Sequence, residues 1–488
     1  MKWFDQMFLH VSRNSLKTGL LLMTLAVPNV RSIAAEPASA PVRRPNFLFI
    51  ITDDQRWDAL GVVQKEQRMN ARWPWFKTPN MDRIANEGVR FRNAFVVHSL
   101  CSPSRASFLT GQYGLLNGIV DNSTHLSTNV VNQAKLLRDA GYQTAYIGKF
   151  HMAFQKGRPG FEYVASYVSQ GEYYGSTFLV NGAPVKATNW IDDVATDYAV
   201  DFIRTNHTQP WFMMLGFKTP HTPRQPPPRA KHRFEGEFVK PAVNAKVMPS
   251  YGRGQRAFKG EEIGKPYETD SDSRGNDPYL LDYFRVISAV DDDIGRVLDA
   301  LDEQHLAEDT VVVFAGDNGY FLGDHGGLGD KRAAYEESMR IPLLLRYPRL
   351  GVRGKSVDEM VLNIDLAPTF LELAGVSVPK EMQGASWVPL LKGNARGWRD
   401  AFMFQYLFER NLPATPAMIA VRTPEAKLIE YPGHTNWTEL FDLQADPYEM
   451  KNLASDPDHA ALLKKLKEEL AAQKKKFGDP FKNGTAAY

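Results

Sequence analysis

Five apolar, β-branched or aromatic runs punctuate the chain: Asn46–Thr52 (NFLFIIT), Gln143–Ile147 (QTAYI), Trp211–Phe217 (WFMMLGF), Thr310–Ala315 (TVVVFA) and Ile341–Tyr347 (IPLLLRY). Runs of this kind read as strands buried on both faces. Helical patterns lie between them. Thr78–Asn86 sets Pro79 just behind a Thr cap, Asn132–Asp139 stops before Gly141, and Tyr279–Leu301 has apolar residues at helical spacing. Buried strands alternating with helices predict an α/β fold, a large and mainly parallel sheet flanked by helices.

Two segments depart from this rhythm. Lys218–Asp277 contains Pro226–Pro227–Pro228 and scattered Arg and Lys with little periodicity, a long Pro-rich insertion of the kind that is functional or mobile. Beyond Gly375, short runs at Ala417–Val421 and Lys427–Tyr431 predict a small antiparallel sheet, closed by a charged amphipathic helix over Asp458–Lys476. A boundary near residue 376 is therefore expected, between a larger domain (42–375) and a smaller C-terminal α+β subdomain (376–488).

Hydrophobic residues at 43% and charged residues at 23% of 488 are ordinary globular usage, which excludes disordered, coiled-coil and solenoid classes. The N-terminus alters the charge balance. Lys2, Arg13 and Lys17 precede an apolar run, Leu20–Val27, and Ser32–Ile33–Ala34 offers a small-x-small cleavage site. That is the pattern of a signal peptide over residues 1–35, too short to span a bilayer, and it predicts an exported, periplasmic or secreted protein without a transmembrane anchor. Its removal takes away four basic residues and one acidic residue, so the formal charge falls from +2 to −1. No general affinity for nucleic acid follows. Cys101 is the single cysteine, which excludes intramolecular disulfides and thiolate metal clusters.

The chemistry gathers where strands end. NFLFIIT runs into Asp53–Asp54, QTAYI into Gly148–Lys149–Phe150–His151, WFMMLGF into Lys218–Thr219–Pro220–His221, and TVVVFA into Gly316–Asp317–Asn318–Gly319. Ligands of open parallel sheets bind outside the carboxyl ends of strands. Asp53, Asp54, Asp317 and Asn318 make an all-oxygen, anionic set whose mutual repulsion a hard divalent cation resolves, Ca²⁺ or Mg²⁺ rather than zinc. A second constellation is Cys101-Ser102-Pro103-Ser104-Arg105. Pro103 suits a first helical turn, which places Cys101 at the positive end of the dipole with Arg105 beside it.

Cys101-x-Pro103-x-Arg105, continuing as Ala106-Ser107-Phe108-Leu109-Thr110-Gly111, resembles the signature of type I sulfatases of the alkaline-phosphatase-like superfamily, in which the Cys is oxidised to Cα-formylglycine. The resemblance runs through Pro45–Gln55, Gly148–His151, Thr219–Pro223, Asp317–Gly319, Lys331, Tyr335–Pro342 and Glu439–Pro447, in the family's order, and is similar to carbohydrate sulfatases acting on glycosaminoglycans or algal polysaccharides. It implies one Ca²⁺ held by Asp53, Asp54, Asp317, Asn318 and the modified Cys101. It further implies that Arg105 holds the formylglycine hydrate ionised, that Lys149 and Lys331 neutralise sulfate oxygens, and that His151 and His221 move protons. The implied partners are a sulfated carbohydrate and a formylglycine-generating maturation enzyme.

Two other readings share these residues: a phosphate or phosphonate ester hydrolase of the same superfamily, and a non-catalytic sulfated-glycan-binding protein. Around the site, Trp57, Trp73, Trp75, Tyr173, Tyr174 and His434 are candidates for stacking on sugar rings. Arg224, Arg229, Lys231 and Arg233 are candidates for further anionic groups. Asp324 and His325, within the Gly-rich stretch Gly323–Gly329, read as rim residues or turn formers, and His98 carries no assigned role.

Overall fold

The computed structural model describes residues 44–252, 278–410, 412 and 414–482. The expected signal peptide and residues 253–277 of the Pro-rich insertion lie outside the described residues. Sixteen strands are described. They are β1 (Asn46–Thr52), β2 (Val89–Phe91), β3 (Ala94–Phe95), β4 (Gln143–Lys149), β5 (Tyr163–Tyr167), β6 (Thr177–Val180), β7 (Ala183–Lys186) and β8 (Trp211–Gly216). Then come β9 (Thr310–Gly316), β10 (Leu343–Arg346), β11 (Lys355–Val357), β12 (Val361–Leu362), β13 (Phe402–Tyr406), β14 (Met418–Arg422), β15 (Ala426–Glu430) and β16 (Glu439–Asp442).

Ten of them form one sheet in the order β11-β2-β10-β9-β1-β8-β4-β5-β6-β7. At its centre β9, β1, β8, β4 and β5 are parallel neighbours. The strand expected over Ile341–Tyr347 is shorter, and it runs antiparallel to β9. Register brings the functional strand ends level: Thr52 lies opposite Gly316, Ile51 opposite Gly216, and Gly148 opposite Gly216. The polar residues that follow β1, β4, β8 and β9 therefore share one rim.

Alternate side chains of β1 feed two cores, as the two-residue strand period requires. Phe47, Phe49 and Ile51 join the core that packs the helices Cys101–Thr110, Gln133–Asp139 and Leu366–Leu373. Leu48 and Ile50 join the opposite core, packed by the helices Pro79–Asn86, Ile191–Arg204 and Pro278–Glu303. Asn132 caps its helix by accepting from Lys135 N (3.0 Å). Thr78 sits at the cap position but makes no cap bond; its hydroxyl accepts from Gly61 N (2.7 Å) and donates to Asp82 (3.0 Å), tying the start of the helix Gly61–Gln67 to the helix Pro79–Asn86. After Gly375, β13 to β16 form an antiparallel four-stranded sheet in chain order. The Ala460–Phe477 helix packs on it through Leu466 and Leu470.

Gly148 marks the tightest point of this design. Its φ is +82°, and a Cβ there would lie 2.0 Å from the carbonyl oxygen of Gly216. Gly148→Ala is expected to lose more than about 3 kcal/mol of stability, because left-handed backbone and a strand-to-strand clash coincide. Urea denaturation measures it, and activity falls with it because Lys149 is the next residue.

Candidate active site

The helix Cys101–Thr110 follows Leu100 in extended conformation, and all ten of its residues are buried. Cys101 thus stands at the helix N-terminus, with Pro103 in the first turn where a missing N–H costs nothing. Its Sγ lies 3.4 Å from Asp53 Oδ1 and 3.2 Å from Lys331 Nζ. Burial, aided by the Asp53 charge, pushes the Cys101 thiol well above its ordinary range. An unmodified thiol here is protonated and a poor nucleophile.

Arg105, one turn on, is 2% exposed and bridges the carboxylates. Its Nε donates to Asp317 Oδ2 (2.8 Å), Nη2 to Asp53 Oδ2 (3.1 Å) and Nη1 to the Lys149 carbonyl (2.7 Å). Lys149 Nζ pairs with Asp53 and with Gln170 Oε1. Lys331 pairs with Asp54. Carboxylate oxygens of Asp53, Asp54 and Asp317 lie within 4.8 Å of one another. Asn318 Nδ2 donates to Asp54 Oδ1 (2.7 Å) and to Gly319 O (2.8 Å), and its buried Oδ1 has no partner among the described residues.

Burial opposes ionisation of Asp53, but Lys149, His221, Arg105 and Lys331 outweigh it and hold the carboxyl well below the usual range. Asp317 goes the other way: burial, then the nearby Asp53 charge, push it up to about 7. Both histidines are held well below their ordinary value, first by burial and then by Lys149. His221 Nδ1 bonds the Thr222 carbonyl (2.6 Å), which turns Nε2 toward Asp54 Oδ2 at 4.0 Å. His151 is buried with Nδ1 unpartnered, and Ser102 Oγ donates to its carbonyl.

Every residue expected at the site is therefore gathered at the rim of β1, β4, β8 and β9. The surroundings differ from expectation in several places. Trp73 and Tyr173 are fully buried core residues, unavailable to a sugar ring. Trp57 lies under the Arg340 guanidinium (3.9 Å), Trp75 packs among Phe76, Phe234 and Phe284, and His434 stacks on Trp437 (3.8 Å). Arg229 is engaged with Asp193 (2.8 Å) and Arg233 with Asp292 (2.7 Å), so neither offers a spare cation to an anion. Arg224 is buried 4.8–5.0 Å from the rings of Tyr279, Tyr283 and Tyr320. Asp324 and His325 are buried ion-pair partners: Asp324 joins Arg56 and Arg72, and His325 joins Glu337. His98 is fully buried, and neither ring nitrogen has a hydrogen-bond partner among the described residues.

Sequence reasoning missed Gln170, which fixes Lys149, and Tyr283, whose hydroxyl donates to the Asp54 carbonyl (2.9 Å). Neither lies in a recognisable motif. Their contacts are made across long stretches of chain, and no local pattern signals them.

The model of the sulfatase family matches residues 45–376, an interval that holds Asp53, Asp54, Cys101, Arg105, Lys149, His151, His221, Asp317, Asn318 and Lys331. The chain belongs to the sulfatase family. A second model, of the N-sulphoglucosamine sulphohydrolase C-terminal region, matches residues 323–476. An N-acetylglucosamine-6-O-sulfatase of Bacteroides thetaiotaomicron is 32% identical over 94% of this chain and 91% of its own. An ulvan-active sulfatase of Formosa agariphila is 28% identical over 90% of this chain and 83% of its own. A solved structure of a protein bound to its substrate, D-glucosamine-2-N,6-O-disulfate, superposes with a TM-score of 0.78 at 30% identity, covering 90% of this chain and all of that one. This sulfatase is thus a sulfuric ester hydrolase, built on the expected parallel sheet with its C-terminal antiparallel companion. Among the described residues, no helix is long and apolar enough to cross a membrane.

Proposed function

We propose that this sulfatase removes sulfate esters from a sulfated glycan, with glucosamine-type 6-O-sulfate as its substrate class. The similarity to an N-acetylglucosamine-6-O-sulfatase across 94% of the chain carries the reading. The glucosamine disulfate held by the 30%-identical structure supports it.

Three carboxylates within 4.8 Å and the unpartnered Asn318 Oδ1 fit a hard cation, and calcium suits so many oxygens. When bound, it would draw charge from a sulfate oxygen and acidify the hydroxyl at position 101. Oxidation of Cys101 to Cα-formylglycine would supply a hydrate with two geminal hydroxyls, one to attack sulfur and one to expel sulfate as the aldehyde returns. The remaining work falls to this chain's other side chains. Arg105 holds the nucleophile's charge. Lys149 and Lys331 face the sulfuryl oxygens, where charge builds in flight. His221 delivers a proton from Nε2 to the departing alcohol, its ring fixed by Thr222. Burial and then Lys149 hold His221 neutral, and a sulfate anion between the lysines offsets the lysine contribution. His151 takes the proton of the second hydroxyl. The N-terminal pattern supports export, and a formylglycine-generating enzyme is the maturation partner.

The test is sulfate release from D-glucosamine-2-N,6-O-disulfate and N-acetylglucosamine 6-sulfate, beside 2-O- and 4-O-sulfated sugars and an aryl phosphonate. Release confined to 6-O-sulfates, lost in EDTA and restored by Ca²⁺, is expected. Turnover of the phosphonate with no release from any sugar sulfate overturns the reading.

A further inference from the structure

His221 is not held by its own strand. It sits at the end of the loop Lys218–Thr219–Pro220–His221, just past β8. A carboxylate from another element anchors the start of this loop, and Arg224 Nε donates to the Pro220 carbonyl (3.2 Å). Asp192, in the first turn of the Ile191–Arg204 helix, is fully buried. Its Oδ1 accepts from Lys218 N (2.9 Å), and its Oδ2 accepts from Thr219 N (3.1 Å) and Thr219 Oγ1 (2.6 Å). The Thr219 carbonyl then accepts from Asp53 N (2.8 Å). His221 N closes a turn onto the Lys218 carbonyl (3.0 Å), and the Tyr173 hydroxyl donates to the His221 carbonyl (2.9 Å). Tyr173 is tied back to the same helix, because its carbonyl accepts from Ile191 N (2.8 Å).

We infer that Asp192 is a positioning residue for the leaving-group side of the reaction: it sets the loop that aims His221 Nε2. The inference rests on the proposed role of His221. Three donors converge on one buried carboxylate, which is more than a surface cap at a helix N-terminus needs. The carboxylate touches no reacting atom and acts through the loop main chain and the Thr219 hydroxyl. An amide in its place offers one acceptor and one donor group, so a backbone N–H must face an N–H and the loop moves. A displacement of about 1 Å costs a proton-transfer step about 10²-fold.

The consequence is selective. A proton delivered to the leaving oxygen matters greatly when that oxygen is basic, as in a sugar alcohol, and little when it departs as 4-nitrophenolate. Asp192→Asn is expected to lose about 10²-fold in kcat on N-acetylglucosamine 6-sulfate and within about 3-fold on 4-nitrophenyl sulfate, with KM little changed. Across aryl sulfates of graded leaving-group acidity, its rates fall more steeply than the wild type's as the leaving group becomes more basic. Thr219→Val removes only the hydroxyl bond at nearly constant volume, and it reproduces the same split in smaller form should the Asn variant fold poorly.

Equal losses on all substrates in both variants, or none on any, overturn the assignment. His221→Ala run alongside separates the two readings. If it shows the leaving-group split and the Asp192 and Thr219 variants do not, the positioning role fails. If His221→Ala itself shows no split, the proposed role of His221 fails.

Discussion

Replacing Cys101 with serine is expected to abolish multiple turnover, a loss of at least about 10⁴-fold in kcat. The side chain sits 3.4 Å from Asp53 Oδ1 and 3.2 Å from Lys331 Nζ, where the proposed nucleophile must stand. A serine hydroxyl can attack sulfur once, but it has no second hydroxyl to collapse and release the sulfate. The variant therefore stalls after at most one equivalent of alcohol product per enzyme, seen as a burst without a steady state. Mass spectrometry of the stalled protein finds the bound sulfuryl group. In the active wild type, position 101 is about 18 Da lighter than cysteine and resists alkylation by iodoacetamide in denaturant. Steady multiple turnover by the serine variant, or a free thiol in fully active enzyme, would remove the formylglycine mechanism.

Arg105→Ala is expected to have the largest effect on the fold itself. The guanidinium is 2% exposed and satisfies two buried carboxylates and the Lys149 carbonyl at once. Removing one partner of such a buried network strands the others in low dielectric, which costs about 3–5 kcal/mol. Asp317, already pushed up to about 7, takes up a proton instead and no longer supports a cation. Arg105→Lys recovers part of the stability but little activity, because an ammonium cannot span three acceptors with the fixed fork of a guanidinium. Activity falls by about 10³-fold or more in both. Chemical denaturation and calcium titration measure the two losses separately. An alanine variant with native stability and calcium affinity contradicts this account.

The parts of the fold legible in the sequence are those dictated locally. The run NFLFIIT leads into Asp53–Asp54 and TVVVFA, through Gly316, into Asp317–Asn318, so burial pattern and strand ends place four candidate oxygen ligands without any tertiary information. Lys149 and His221 follow from the same argument. The antiparallel direction of β10 was not legible, because an apolar run carries no sign of its direction. Nor were Tyr173 and Trp73 recognisable as core, since an aromatic ring reads alike in a binding platform and in packing. Asp324 looked like a turn former because Gly surrounds it, yet its partners Arg56 and Arg72 are some 250 residues away in sequence. Asp192 belongs to no motif and no strand end. Its contacts are made with the main chain and the Thr219 hydroxyl of another segment, which no local pattern reports.

The burial of Cys101 has an implication for how the enzyme is made. All ten residues of the helix that begins with Cys101 are covered, and the thiol itself has no accessible surface. On the proposed formylglycine reading, an enzyme that modifies Cys101 has no access to it in the finished core. The oxidation would then belong to the time before this helix docks. On that reading, a host without the modifying enzyme is expected to yield a well-folded but silent protein, which supplying that enzyme afterwards does not rescue unless the protein is first unfolded.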